Sequence, residues 1–298
     1  MAISGDSLSP GPTPHPLKIF DAARKQDKFV YACAPMVRYS KLAFRQTVHQ
    51  YGTDLCWTPM ILAKEFNRNE FARDSDLTIS TSHPQPPTIL QFGANIPLEL
   101  ARASSLAAPF VSGVDLNCGC PQAWACAETL GAALMDQRDL VRDMVTETRE
   151  RLRQDGWALG LESDMENPKG RSVSVKIRVH HDLRYVSPLD SRHPQARNVD
   201  WVTIHPRTRH TPSTTPIFTE ALEILTEKYS STLPLLLSGD VFDLSTLPLR
   251  NTKADLSTLS IKDTPLTPRP STTHLSGFMS ARGGRNAHVQ GGEGAAAV

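Results

Sequence analysis

The segment DLNCGCPQAW, residues 115–124, places two cysteines two positions apart in a chain that has five. Three chemistries could use that spacing. A zinc site needs two further Cys or His ligands at suitable spacing, and Cys33, Cys56 and Cys126 form no second pair. A dithiol redox pair ordinarily reads Cys-x-x-Cys at the start of a helix, whereas this is Cys-x-Cys. The third chemistry is one working thiol beside a structural one. Strand alternation puts Cys118 and Cys120 on one side, but the Gly-Cys-Pro turn at 119–121 interrupts the strand. Cys120 then lies on an exposed rim and Cys118 can pack. Two buried structural cysteines would account for this segment, taken alone, equally well.

Three more stretches carry chemically useful side chains. In VSVKIRV (173–179), Lys176 and Arg178 alternate with apolar residues and share one strand face. Inward-pointing cations require an anion or an electron-rich ligand, because unpaired buried charge is expensive. An edge strand with a solvated face is the plain alternative. In TIHPRTRH (203–210), His205 and Arg207 end an apolar run; Pro206 spoils His-x-Arg-x-x-His as a metal site. LLLSGD (235–240) and GFMSARGG (277–284) both end in small residues and glycine. Backbone N–H groups approach a phosphate closely where there is no Cβ, and Arg282 adds a bidentate cation.

These residues must be positioned by the elements around them. Short β-rich runs recur at 29–36, 54–60, 88–95, 113–121, 173–179, 200–208, 233–240 and 276–283. Helical patterns follow most of them. SKLAFRQTVHQYG (40–52) predicts a helix with Ser40 as N-cap, Phe44, Val48 and Tyr51 on one face, and Gly52 just past its end. PLELARASSLA (97–107) predicts another. Residues 138–156 predict a third, with a stripe of Leu140, Met144, Val145, Thr148 and Leu152 ended by Gly156. A fourth, before residue 233, turns Leu222 and Leu225 inward. Eight strands alternating with helices over about 250 residues predict a closed (β/α)8 barrel of the α/β class. The polar residues Gln91, Asn117, Cys120, Lys176, Arg178, His205, Arg207, Asp240 and Arg282 fall at the strand ends, where the chemistry of such barrels sits.

The chain has 298 residues, 39% hydrophobic and 21% charged, enough to bury a large core. A net charge of +1 gives no global basic field, so nucleic acid would be met by local patches. Arg38, Lys41, Arg45, Lys64, Arg68, Arg207 and Arg209 are candidates, with ordinary solvated surface as the plain reading. The odd cysteine count argues for a reducing compartment. No run approaches the about twenty apolar residues a membrane span needs. Residues 1–16, rich in Pro, Gly and Ser, read as a disordered leader rather than a targeting peptide. Residues 17–283 form the expected barrel domain. It carries a Ser/Thr/Pro-rich insertion at 244–275, where a seventh crossover helix is expected but shows little pattern. Residues 284–298 read as a low-complexity tail with no amphipathic helix.

Six pieces together, APMVRYSKLAFR (34–45), LQFGAN (90–95), DLNCGCPQ (115–122), VSVKIRV, TIHPRTRH and GFMSARG, resemble the tRNA-dihydrouridine synthase family. The first and last are most similar to the eukaryotic subgroup acting on positions 20a and 20b of the tRNA D-loop. The resemblance implies a TIM barrel that binds FMN, takes electrons from NADPH or NADH, and reduces the C5=C6 bond of uridine to dihydrouridine. It implies Pro35 and Met36 beside the flavin ring, and Gln91 and Lys176 bonded to it. His205, Ser238, Gly239, Asp240, Ala281 and Arg282 would line the ribityl and phosphate end. Asn117 would lie near both flavin and uracil, Arg178 would face the substrate, and Cys120 would donate the proton to C5. The implied partner is tRNA, without metal or membrane, in the cytoplasm with the nucleus as a second candidate.

The family usually has Gly where this chain has Pro206 and Asn where it has Ser238. It continues past MSARG into an eighth outer helix and a helical tRNA-gripping domain, for which GRNAHVQGGEGAAAV stands here, as an altered gene model would give. Two other readings stay open: an FMN oxidoreductase for a small pyrimidine, and a truncated product without activity.

Overall fold

A computed structural model describes residues 15–80, 86–160, 168–183, 199–242 and 275–281. Eight barrel strands lie in chain order: β1 (Val30–Cys33), β2 (Leu55–Trp57), β3 (Thr88–Gly93), β4 (Gly113–Cys118), β5 (Gly170–Arg178), β6 (Val202–His205), β7 (Leu235–Ser238) and β8 (Gly277–Ser280), with two-residue strands Ile61–Leu62 and Ala158–Leu159 added beside β3 and β5. Each barrel strand pairs in parallel with the next, and β8 pairs with β1, so the sheet closes. This is the expected (β/α)8 barrel. The strands are shorter than the apolar runs that predict them, except β5, which starts three residues earlier at Gly170.

The helices are α1 (Pro16–Lys25), α2 (Leu42–Gln50), α3 (Ala63–Arg68), α4 (Glu70–Asp76), α5 (Pro97–Ala107), α6 (Ala123–Ala127), α7 (Arg138–Gln154) and α8 (Thr219–Tyr229). In α7 Met144, Val145, Thr148 and Leu152 are buried, and Leu222 and Leu225 of α8 are buried too. Gly156 and Gly52 take positive φ just past α7 and α2, as helix-ending glycines do. Two details of α2 depart from the sequence reading. Its N-cap is Lys41; Ser40 instead accepts from the Met36 N–H and donates to the Met36 carbonyl, closing a tight turn. Tyr51 lies at the C-cap and is exposed, because the helix ends within its third turn, before Tyr51 can join the inward face.

Two apolar layers follow from strand alternation. One sheathes the barrel, between strands and helices, and holds Phe92, Leu116, Cys118, Val175, Ile177 and Ile204. The other fills the barrel interior, with Val30, Leu55, Trp57, Ile89, Trp201, Leu236 and Met279. The sequence reading has no element before Phe29, but α1 adds Leu17 and Phe20 to that interior. The Phe20 ring sits 5.3 Å from Trp201, which meets Trp57 edge-on at 6.2 Å. One mouth of the barrel is thereby plugged. Nearby, the fully buried Arg149–Asp200 ion pair (3.1 Å) ties α7 to the start of β6.

The insertion predicted at 244–275 and the tail at 284–298 lie outside the described residues except for Leu275, as does most of the leader. Among the described residues no helix is long and apolar enough to cross a membrane.

Candidate active site

Interior positions near the carboxyl ends of the strands are polar where the lower layers are apolar. The pairing register sets Gln91 beside Asp115, Asp115 beside Ser174, Asn117 beside Lys176, and Arg178 beside His205. A cleft of about 220 Å³ opens at this end, lined by Pro35, Gln91, Asn117, Cys120, Lys176, Ser238 and Ala281. Seven of the site residues expected from the sequence therefore meet in one cleft. Ala34, Val37, Met60, Gly119, Gln122 and Trp124 complete its walls.

The turn carrying Cys120 is held on three sides. Asn117 Oδ1 accepts from the N–H groups of Gly119 (2.9 Å) and Cys120 (2.8 Å). Arg178 Nε donates to the Gly119 carbonyl at 2.9 Å. The Cys120 carbonyl accepts from the Ala132 N–H at 2.9 Å. Gly131 takes a φ of +59°, and a Cβ there would fall 2.6 Å from the Cys120 carbonyl oxygen, so only glycine permits that approach. Cys120 itself is partly exposed. Cys118, one turn earlier, is fully buried in the sheath layer, and burial pushes its thiol well above the ordinary range. The pair thus divides into one accessible and one packed thiol. Among the described residues no group of Cys, His, Asp and Glu could hold a metal ion.

Lys176 reaches the cleft from β5, and its ammonium makes no hydrogen bond or ion pair among the described residues. Its pKa is lowered to about 8, by burial first, with Asp115 opposing and Arg178 adding to the lowering. His205 faces Lys176, Arg178 and Arg207; desolvation first, then these three cations, push its pKa down to about 2. It is therefore neutral, with Nε2 3.0 Å from Arg207. Arg207, Arg178 and Lys176 make this end of the site cationic, which suits an anionic group.

Some expected residues lie just outside the cleft walls. Arg178 is taken up by the Gly119 and Thr208 carbonyls (2.9 and 2.8 Å). The Met36 side chain packs with Cys33 and Cys56 under α2. Asp240 accepts from Arg207 (2.5 Å) and from the Ile217 N–H (2.9 Å). Gly239 takes a φ of +98°, and a Cβ there would lie 2.7 Å from His205 Cδ2. Pro206 is buried and its carbonyl accepts from Phe218 N–H at 2.7 Å, so proline is accommodated by the β6–α8 connection. Arg282 lies outside the described residues. Two of the candidate basic residues are not surface. Arg45 is 1% exposed, donating to the Ser40 and Thr78 carbonyls, and Arg207 is 4% exposed. The sequence reading also missed Asp115. Its signal was a carboxylate in mid-strand on the same face as Asn117.

A parallel barrel whose carboxyl-end cleft combines a gripped thiol with a cationic wall gives the chain a candidate active site. Comparison with known proteins makes this specific. Residues 32–254 match the family described as dihydrouridine synthase (Dus), and the chain belongs to that family. It is 41% identical over 232 residues to a mouse protein named tRNA-dihydrouridine(20a/20b) synthase [NAD(P)+]-like, covering 77% of this chain and 63% of that one. The human protein of that name is 40% identical over 232 residues (77% and 65%). A Saccharomyces cerevisiae tRNA-dihydrouridine(20a/20b) synthase [NAD(P)+] is 38% identical over 251 residues (82% and 64%). The chain spans less than two thirds of these relatives' length.

Proposed function

We propose that this chain is built to reduce the C5=C6 bond of uridine in the tRNA D-loop, at positions 20a and 20b, with FMN as cofactor and NADPH or NADH as electron source. Family membership and the relatives' names support the class. The observation that carries the reading is the meeting of Cys120, Asn117, Gln91 and Lys176 in one cleft. The catalytic domain on this reading is residues 17–283, and work on a tRNA substrate would fall in the cytoplasm or nucleus.

The side chains fit a flavin mononucleotide. Lys176 offers a cation to the cleft, partly balanced by the buried Asp115 behind it. Gly239 leaves room against His205 that a Cβ would fill. Pro35, Gln91, Ser238 and Ala281 give a wall of small and amide groups. When bound and reduced, FMN supplies the hydride to C6, which no protein side chain can do. Cys120 gives the proton to C5: it lines the cleft and is the partly exposed thiol of the pair, so it can reach the substrate as a general acid. Lys176 stabilises negative charge that develops on the uracil during the transfer. Asn117 orients the Cys120 turn and the base, and the walls limit water.

The test is to purify the chain, record its visible spectrum, and incubate it with NADPH and unmodified tRNA transcript. A flavin band and dihydrouridine at 20a or 20b support the reading. Dihydropyrimidine formed only from free base would show the small-molecule reductase instead.

A further inference from the structure

Asp115 sits in the middle of β4 at 1% exposure and does not line the cleft. Its Oδ1 accepts from Ser174 Oγ and its Oδ2 from Gln91 Nε2, both at 2.7 Å. Asp115 Oδ2 thus takes the amide nitrogen of Gln91 as its donor. Gln91 Oε1 is thereby turned to Asn117 and accepts from Asn117 Nδ2 at 2.8 Å. That leaves Asn117 Oδ1 for the N–H groups of Gly119 and Cys120. Amide orientation is ordinarily ambiguous. Here the backbone end decides it: the Gly119 and Cys120 N–H groups only donate, so Asn117 Nδ2 faces Gln91 Oε1 and Gln91 Nε2 faces Asp115.

We infer that Asp115 is a positioning residue: acting through Gln91 and Asn117, it fixes the backbone of the turn that presents Cys120 to the substrate. The reaction assigned to Cys120 rests on the function proposed above; the hydrogen-bond chain does not. A purely space-filling role does not account for a carboxylate here, because an apolar side chain of the same size would bury at less cost. Burial raises the Asp115 pKa, opposed by the hydrogen bonds from Gln91 and Ser174 and by Lys176. The carboxylate is tolerated because those partners surround it.

The test uses the full chain with three substitutions: Asp115→Leu, Gln91→Met and Asp115→Asn. Leu removes the acceptor at similar volume. Met breaks the next link and leaves the carboxylate in place. Asn can keep the chain, with Oδ1 accepting from Gln91 and Nδ2 donating to Ser174 Oγ. The first readout is the iodoacetamide alkylation rate of Cys120, resolved by peptide mass spectrometry, with buried Cys118 as the folding control. The second is kcat and KM for uridine reduction.

Asp115→Leu and Gln91→Met should speed Cys120 alkylation by about fivefold or more, the equivalent of one lost hydrogen bond, with Cys118 still protected. They should lower kcat by about tenfold and leave KM for tRNA within about twofold. Asp115→Asn should restore most of both. If Asp115→Leu exposes Cys118 and so fails to fold, Gln91→Met decides. Unchanged Cys120 alkylation in folded Gln91→Met overturns the inference, and so does Asp115→Asn behaving like Asp115→Leu. A wild-type chain that reduces no uridine overturns the proposed function alone, since alkylation still reads the turn.

Discussion

Asn117 and Cys120 are joined by a 2.8 Å hydrogen bond from the Cys120 N–H to Asn117 Oδ1, which makes the thiol's backbone part of the cleft wall rather than of a free loop. The same Oδ1 accepts from Gly119, so the turn is fixed at two successive peptides. Two cysteines two residues apart therefore have opposite surroundings, and substitution should separate them.

Cys118→Ser should destabilise the fold by about 1–3 kcal/mol, because a hydroxyl would replace a thiol in the apolar sheath. Cys120→Ser should cost far less, since Cys120 is already partly exposed. Urea unfolding midpoints of the two variants check this. Equal losses would contradict the division of the pair.

Gly239→Ala should be among the most damaging single-methyl changes in the site. The backbone is at φ +98°, and the new Cβ would strike His205 at 2.7 Å. Flavin content per folded chain should fall at least about tenfold, with a stability loss of about 1–3 kcal/mol. Absorbance and thermal unfolding of the purified variant measure both.

His205 gives the protein a pH dependence of definite sign. Its folded pKa is pushed down to about 2 from 6.5, so between those values the unfolded chain takes up a proton that the folded chain refuses. Stability from this group is complete at neutral pH and is lost as pH falls. By about pH 5 the loss should approach about 2 kcal/mol. His205→Gln should flatten that slope in denaturation curves between about pH 7 and 5.

Lys176 should act on the alkaline side. With a pKa near 8, it is charged below that value and neutral above it. Binding of an anionic ligand against it favours the charged form, so FMN affinity should weaken as pH rises from about 7 to 9, by up to about tenfold per unit. Lys176→Met should bind FMN more weakly at pH 7 and lose the pH step. Titrations of flavin fluorescence read both.

The barrel was legible because eight apolar runs ended in polar or glycine turns, and closure followed from their number. The cleft was legible in residues whose signal lies at a strand end: Gln91, Asn117, Cys120 and Lys176. What was hidden depended on contacts distant in sequence. Arg45 and Arg207 read as surface cations by type, yet each is buried against carbonyls or a carboxylate that no local pattern displays. Asp115 was passed over because a lone mid-strand carboxylate has no periodic signature. Its partners Gln91 and Ser174 are 24 and 59 residues away. Helix α1 was missed because a single ten-residue stretch ahead of the first strand has no following strand–helix rhythm to mark it, and its inward residues Leu17 and Phe20 gain meaning only from the barrel mouth that receives them.

The most direct test of the account is a single turnover. The chain, loaded with FMN and reduced anaerobically, is mixed with unmodified tRNA transcript, and dihydrouridine formation is followed for wild type and Cys120→Ala. The account predicts that the variant binds flavin normally and forms dihydrouridine at least about a hundredfold more slowly, the scale of a lost general acid. Dihydrouridine formed by Cys120→Ala at the wild-type rate would contradict it.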